Sequence, residues 1–440
     1  MQESQTVFVD VNALRVGMFV HLDLGWMSHP FASDSFKITN EQQLEAIRAL
    51  NLKRLRVDPQ KSSVDPQKSS VEPQKSSVEP SPAQHGNDAT AVQSRPNVAA
   101  TGTASEQGRR ERLAVQKERR ARCEAAFAQA TACCNEVMAC VATQPELARE
   151  RSQALVGEIL RLMMADGESL IQLLADGAGE RVATHSVNVA ILSLLLGKAM
   201  GLSGPQMQVL GMAAFLHDIG KEQLPERARW RGPTFTARED KIYEDHVSMG
   251  VTMAQRMGLA APILLGMAQH HEMVDGSGFP LGVKGDRMIL PARILALVNR
   301  YDNLCNASVP GQALTPHEAL ALIFAQAKDR FDASSLNAFV RLVGVYPPGS
   351  VVQLLDDRYA IVMTVNSARP LLPQVIVHDP QVPKEQALVL NLQQQPQLGI
   401  KRSVKPAHLP QAAEYYLSPR KRINYYFDQV LPEADAQASR

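Results

Sequence analysis

Three absences narrow what this chain can do. Lys and Arg total 46 against 45 Asp and Glu, a net charge of +1, so no global field recruits nucleic acid or a membrane surface. No uninterrupted apolar run approaches the ~20 residues of a spanning helix, and the opening MQESQTVFVD has no basic-then-apolar leader pattern. The five cysteines include no CxxC pair. Cys123, Cys133, Cys134 and Cys140 crowd one helical stretch, Cys305 stands alone, and adjacent Cys133 and Cys134 make a poor structural disulfide. The expectation is a cytoplasmic protein with reduced thiols, no membrane span, and neither DNA nor RNA as partner. What is present is a hydrophobic fraction of 45% over 440 residues, ordinary for a globular protein and enough for roughly two to four domains.

The texture changes several times along the chain, which predicts a multidomain, mainly α protein. Residues 1–57 read as a small α+β module. Val7, Val9 and Val11 alternate with polar residues as in a half-buried strand. Thr39 and Gln42 make a capping-box pattern before a helix whose Leu44, Ile47 and Leu50 share a face, and Leu55 and Val57 follow as a short strand. Then comes a repeat: VDPQKSS at Val57 and Val64, VEPQKSS at Val71 and a truncated VEPSP at Val78. A proline in every unit forbids a continuous helix, so residues 58–106 read as a flexible spacer.

Residues 107–175 read as a helical connector. Its arginines 109, 110, 112, 119, 120 and 122 are interleaved with Glu111, Glu118 and Glu124, the pattern of a solvated helix face that could also serve homodimer packing. Residues 176–345 read as the main helical domain. From 346 to 440 the chain reads as a small β-rich module, with two strands around Asp356-Asp357, a third in PQVIVHD, and a tail anchored by Tyr425, Tyr426 and Phe427.

Chemistry concentrates in the main domain. His185 heads an apolar helix, where a lone histidine is ordinarily a core residue. His217 and Asp218 end the next apolar helix in HDIGK, an arrangement that aims an imidazole and a carboxylate from one turn, so that Asp218 can bridge two cations. Lys221 sits three residues on, on the same face, where it can hold a phosphate oxygen. His246 lies in YEDHVSMGV, and His270-His271 opens HHEMVDGSGFP; consecutive helical residues point about 100° apart, so the two rings serve different metals or flank one. Mixed imidazole and carboxylate donors suit iron or manganese better than tetrahedral zinc. Two such cations about 3.5–4 Å apart activate water and neutralise phosphoryl charge.

This spacing, H…HD…H…HH followed by DGSGFP, resembles the HD-GYP family of cyclic di-GMP phosphodiesterases over roughly residues 176–330. Residues 1–57 resemble, in layout and in the closing RLRVD, the small domain of unassigned activity that precedes some members. The resemblance implies an all-α HD-superfamily bundle as the core and two divalent cations, Fe(II) or Mn(II). It places metal ligands at His185, His217, Asp218, His246, His270 and His271, with Asn299 at the last ligand position. It makes Lys221 and Asp218 the catalytic pair, and gives the substrate Lys221, Asp275, Gly276 and Gly278. Cyclic di-GMP is the implied substrate, opened to pGpG and onward to GMP, with GGDEF-domain proteins as candidate partners.

Four departures bear on this. The loop carries Phe279 where the family has tyrosine. Asn299 stands where the family has a ligand aspartate, with Asp302 matching the second acid and one turn away. CNASVPGQ (Cys305 to Gln312) replaces a basic, aromatic stretch. Arg181 occupies the place of a glutamate that holds a third metal in some relatives, so two cations are expected. Two readings stay open: an active phosphodiesterase, or a weakened domain that binds cyclic di-GMP or a GGDEF partner. A general HD nucleotide hydrolase is disfavoured, because His246, the double histidine and the DGSG loop exceed what a one-metal site needs.

Overall fold

A computed structural model describes residues 6–22, 35–39, 41–48, 52, 54–64, 106–165, 168–175, 181–232, 234–309, 311–366 and 373–430. It divides into two units, Met1–Arg110 and Glu111–Arg440. In the first, strands β1 (Val7–Asp10), β2 (Phe19–His21) and β3 (Ser35–Lys37) precede helix α1 (Glu41–Arg48) and strand β4 (Arg54–Asp58). The sheet runs β1-β4-β2-β3, every pairing antiparallel. Val9 points inward while Phe8 and Asp10 face solvent, so the period of two in the sequence is realised as one buried face. Val20, Leu55 and Val57 from the strands meet Leu44 and Ile47 of α1 in a small core.

Thr39 is held by Gln43, whose Oε1 accepts from the Thr39 amide at 2.7 Å; the side chain of Gln42, and Leu50, lie outside the described residues. The first copy of the repeat is part of this unit. β4 runs through Asp58, and Ser62 Oγ accepts from the Phe19 amide at 2.8 Å. Beyond Val64, the first residue of the second copy, the later copies lie outside the described residues.

The second unit is mainly helical. Helix α2 (Glu106–Cys140) buries Cys123, Phe127, Ala130, Cys134 and Val137, a stripe at alternating spacings of four and three, while Arg120 pairs with Glu124 on its outer side at 2.8 Å. Helix α3 (Pro145–Met164) starts with proline at its first position, where the missing amide costs nothing. Strand β5 (Glu168–Leu173) follows, inside the stretch read as a helical connector. Helices α4 (Arg181–Ala199) and α5 (Gly204–Leu216) are apolar on nearly all sides and form the centre of the bundle. By length and composition α4 could cross a membrane, but 83% of that window is buried inside the protein.

Around this centre pack α6 (Ala237–Arg256), α7 (Ala261–Ala268), α8 (Leu290–Cys305), α9 (Pro316–Ala327) and α10 (Ala333–Val343). A capping box fixes the start of α6: Thr236 Oγ1 accepts from the Glu239 amide at 3.2 Å, and Glu239 Oε2 accepts from the Thr236 amide at 2.9 Å.

Strands β6 (Val351–Leu354), β7 (Tyr359–Val365), β8 (Gln374–Val377), β9 (Val389–Asn391) and β10 (Ile400–Val404), helix α11 (Gln411–Leu417) and strand β11 (Tyr425–Val430) complete the chain. Their sheet is ordered β10-β6-β7-β5-β11, with β8 pairing β7 and β9 pairing β8. The sheet therefore draws β5 from ahead of the bundle, with Leu173 opposite Tyr425. Among the described residues no disulfide forms; all five cysteines are free, three of them buried.

Candidate metal centre

Four elements bring their histidines to one buried point. His185 lies in the second turn of α4, and His217 caps the C-terminus of α5. Asp218 and Lys221 follow His217 in a tight 3-10 turn (Ile219–Gln223). His246 sits in the middle of α6, and His270 and His271 follow the end of α7. Gly220 permits this convergence, because a Cβ there would stand 2.0 Å from the His246 carbonyl oxygen and 2.5 Å from the Gly250 nitrogen. The 3-10 turn thus lies directly against α6, and only glycine fits.

Asp218 is the hub. Its Oδ2 lies 3.3 Å from His217 Nε2 and 3.5 Å from His185 Nε2, while Oδ1 lies 3.5 Å from His246 Nε2 and 3.8 Å from His270 Nε2. Two donor groups result, His185, His217 and Asp218 on one side and Asp218, His246, His270 and His271 on the other. In four of the rings Nδ1 is engaged from behind. His217 Nδ1 donates to Ala214 O at 2.8 Å, His270 Nδ1 to Met267 O at 2.5 Å, His246 Nδ1 to Tyr243 O, and His185 Nδ1 to Asp302 Oδ2 at 2.6 Å. Each Nε2 then presents a lone pair inward.

Those lone pairs face each other, 3.2 Å apart between His185 and His217 and 3.3 Å between His246 and His270. Asp218 Oδ1 and His271 Nε2 are buried with no hydrogen-bond partner. Opposed lone pairs and buried ligand atoms without a hydrogen-bond partner are unfavourable unless cations lie between them, so the side chains present fit metal binding.

The electrostatics agree. Burial alone would raise the Asp218 carboxyl, but His217 and Lys221 outweigh it and hold it well below the usual carboxylate range. Burial pushes His246 down to about 4, and it pushes His270 and His271 well down with help from the neighbouring imidazoles. Those rings are neutral at physiological pH, the form that metal ligation requires. Lys221 Nζ is 2.5 Å from Asp218 Oδ2 and lies over the rings of Trp230 and Tyr243, at 5.4 and 5.3 Å. Burial would lower this ammonium, but Asp218 keeps it above the ordinary lysine value.

The remaining sequence candidates divide. Asn299 is buried beside the centre, and its Oδ1 accepts from Asn303 Nδ2 at 2.6 Å. Asp302 does not reach in; it stands behind His185. Gly278 lines the adjoining cavity with Phe279, which stacks on His271 at 4.4 Å between centroids. Asp275 is exposed, its carboxylate accepting from the amide and hydroxyl of Ser277, and neither it nor Gly276 is on the cavity wall.

That cavity, of about 460 Å³, sets beside Lys221 basic groups that sequence reasoning missed as site residues. Arg181, Lys221, Arg229, Arg231, Arg300 and Arg330 line it, and no described lining residue is acidic. The Arg181 guanidinium lies 4.3 Å over the Trp230 ring. Glu272, also missed, is buried and accepts from the amides of Leu281 and Val283 at 2.8 and 2.9 Å, which holds the DGSGFP loop over the centre. The only sequence signal for the arginines was their number; their convergence is tertiary.

Two family models match parts of this chain. Residues 168–335 match the family model described as HD domain, and residues 6–151 match the domain of unknown function DUF3391. The chain carries an HD domain behind a DUF3391 domain. It is 27% identical over 380 residues to cyclic di-GMP phosphodiesterase PA4108 of Pseudomonas aeruginosa, covering 84% of each chain. Over 150 residues it is 32% identical to the cyclic di-GMP phosphodiesterase response regulator RpfG of Xanthomonas campestris pv. campestris, 33% of this chain and 39% of that one. A solved HDG"Y"P protein of Bdellovibrio bacteriovorus overlaps 76% of this chain and 98% of its own, at 14% identity and a TM-score of 0.40. The histidine cluster lies within the residues matched to the HD domain, on α4 and α6 and at the ends of α5 and α7.

Proposed function

We propose that the HD domain hydrolyses cyclic di-GMP to pGpG, and pGpG onward to GMP, using two divalent cations, Fe(II) or Mn(II), as a cytoplasmic signalling enzyme. The observation that carries this reading is Asp218, whose two carboxylate oxygens each face a separate pair of imidazole nitrogens. Cations held there supply water activation near neutral pH and charge neutralisation at the phosphoryl group.

The chain's own residues supply the rest. Lys221, fixed by Asp218, presents positive charge at the edge of the centre. The six basic side chains of the cavity match a ligand with two phosphates, and Trp230 and Phe279 offer ring faces to purine bases. The cyclic di-GMP phosphodiesterases of Pseudomonas aeruginosa and Xanthomonas campestris that this chain resembles support the same substrate.

One observation favours a second reading, in which the domain binds the dinucleotide, or a GGDEF partner, without turning it over. Asn299 brings no negative charge, and its Oδ1 is already engaged by Asn303. The complete imidazole set weighs more, since a pure binding site has no use for it.

The test is chromatographic detection of pGpG and GMP from cyclic di-GMP, with anaerobically purified protein loaded with Fe(II) or Mn(II), compared with Asn299→Asp. Turnover by the natural protein supports the enzyme. Turnover only in Asn299→Asp supports the binding reading.

A further inference from the structure

The segment that leads into β11 crosses the bundle close to His185, and its backbone is read by two asparagines. Asn188 of α4 accepts from the Tyr425 amide at 3.0 Å through Oδ1 and donates through Nδ2 to the Ile423 carbonyl at 2.9 Å. Asn306, at the end of α8, accepts from the Ile423 amide at 2.9 Å and donates to the Ile423 carbonyl at 2.9 Å. The same two amide groups donate to Asp302 Oδ1, at 3.1 Å from Asn188 and 3.0 Å from Asn306. The other oxygen of Asp302 holds His185 Nδ1 at 2.6 Å. Asn188 and Asp302 are each 1% exposed.

We infer that the C-terminal segment Ile423–Tyr425 positions the metal ligand His185, acting through Asn188, Asn306 and Asp302. The route is continuous: main chain of the segment, two side-chain amides, one carboxylate, one imidazole. A carboxylate with three hydrogen bonds has one orientation, and it fixes which ring nitrogen of His185 faces the centre. Without the segment, Asn188 and Asn306 lose their main-chain partners and Asp302 loses the groups that orient it. The segment is anchored independently of this network, since Tyr425 Oη bonds to Tyr301 Oη and to the Pro348 carbonyl, both at 3.1 Å, and β11 pairs with β5. Strand docking at the C-terminal sheet and cation binding in the bundle are therefore coupled. Coupling of this kind is reciprocal: whatever factor the segment contributes to metal affinity, metal contributes to the docking of the segment.

The inference rests on the two-cation reading above, and calorimetric titration of the metal-stripped full chain with Mn(II) separates the two. Natural protein that binds no Mn(II) removes that reading. Natural protein that binds two equivalents sets the stage for Asn188→Ala and Asn306→Ala, with circular dichroism as the check on folding. Loss of an outer partner of a ligating histidine costs roughly 10–100-fold in metal affinity, and the asparagines, one hydrogen bond further out behind Asp302, are expected to cost up to about tenfold. That loss is expected for one equivalent, the one held by His185 and His217, while the other is bound as before. Unchanged titration, or equal loss of both equivalents in a folded variant, overturns the inference.

Hydrogen exchange of the natural protein, followed by mass spectrometry, needs no variant. Peptides covering 418–430 are expected to exchange more slowly with Mn(II) bound, and exchange unaltered by Mn(II) overturns the inference as well.

Discussion

Replacing Gly220 with alanine probes the centre without touching a ligand. The new Cβ would fall 2.0 Å from the His246 carbonyl oxygen, 2.5 Å from the Gly250 nitrogen and 2.9 Å from the His246 carbonyl carbon. All three are main-chain atoms of α6, so no side chain can swing aside. The turn and the helix must separate by about 1 Å to restore van der Waals distance, and overpacking of this kind costs about 1–3 kcal/mol.

The same shift moves His246 away from Asp218 Oδ1, now 3.5 Å from its Nε2. Metal ligands tolerate only about ±0.2 Å, so one cation is expected to bind at least about tenfold more weakly, or about 1.4 kcal/mol. Urea denaturation of the metal-free protein reads the first effect and Mn(II) titration the second. Gly220→Ala with the natural urea midpoint and two tight equivalents would refute the packing argument.

Two further outcomes follow from the same geometry. Lys221→Met removes the ammonium from the cavity edge while keeping its bulk; kcat for cyclic di-GMP is expected to fall about 10²–10³-fold with both Mn(II) equivalents retained, and an unchanged kcat contradicts the role. The metal-free protein should also lose stability in acid. His246 titrates at about 4 in the folded state against 6.5 unfolded, so above 6.5 its contribution is constant. Between 6.5 and 4 the unfolded chain takes up the proton first and stability falls, by about 3 kcal/mol for this group. His270 and His271 are shifted in the same direction and add to the fall. Urea midpoints that stay level or rise from pH 7.5 to 4.5 would contradict this.

What was legible in the sequence depended on how local its cause was. The histidines and Asp218 were readable because the spacing H…HD…H…HH resembles the HD-GYP family's; helical position alone did not mark them, since a lone His185 reads as a core residue and His270 and His271 lie beyond the end of α7. Lys221 was readable because it lies three residues from Asp218 on one turn. Gly220 was harder: read alone it is a plausible end to a helix, and only the approach of α6 makes it indispensable.

Asp302 shows the limit more sharply. Its distance in sequence from Asn299 left open whether it reaches the centre, and the packing of α4 on α8 puts it behind His185. Asp275 and Gly276 were drawn from the loop's resemblance, yet the Asp275 carboxylate turns back on Ser277. The basic cavity was invisible because it draws on four separate segments, Arg181, the pair Arg229 and Arg231, Arg300 and Arg330. ESLIQL of β5 lies in a helical neighbourhood, and its strand partner, Tyr425–Val430, lies some 250 residues away, beyond any local pattern.

The measurement that tests the account most directly is the initial rate of cyclic di-GMP hydrolysis by metal-stripped protein as Mn(II) is added anaerobically, with His217→Ala alongside. The account predicts a rate that climbs to a plateau at two equivalents in the natural protein and is absent in His217→Ala, whose ring faces Asp218 Oδ2 at 3.3 Å. A natural protein without turnover at saturating Mn(II) and Fe(II), or a His217→Ala variant as fast as the natural one, would contradict it.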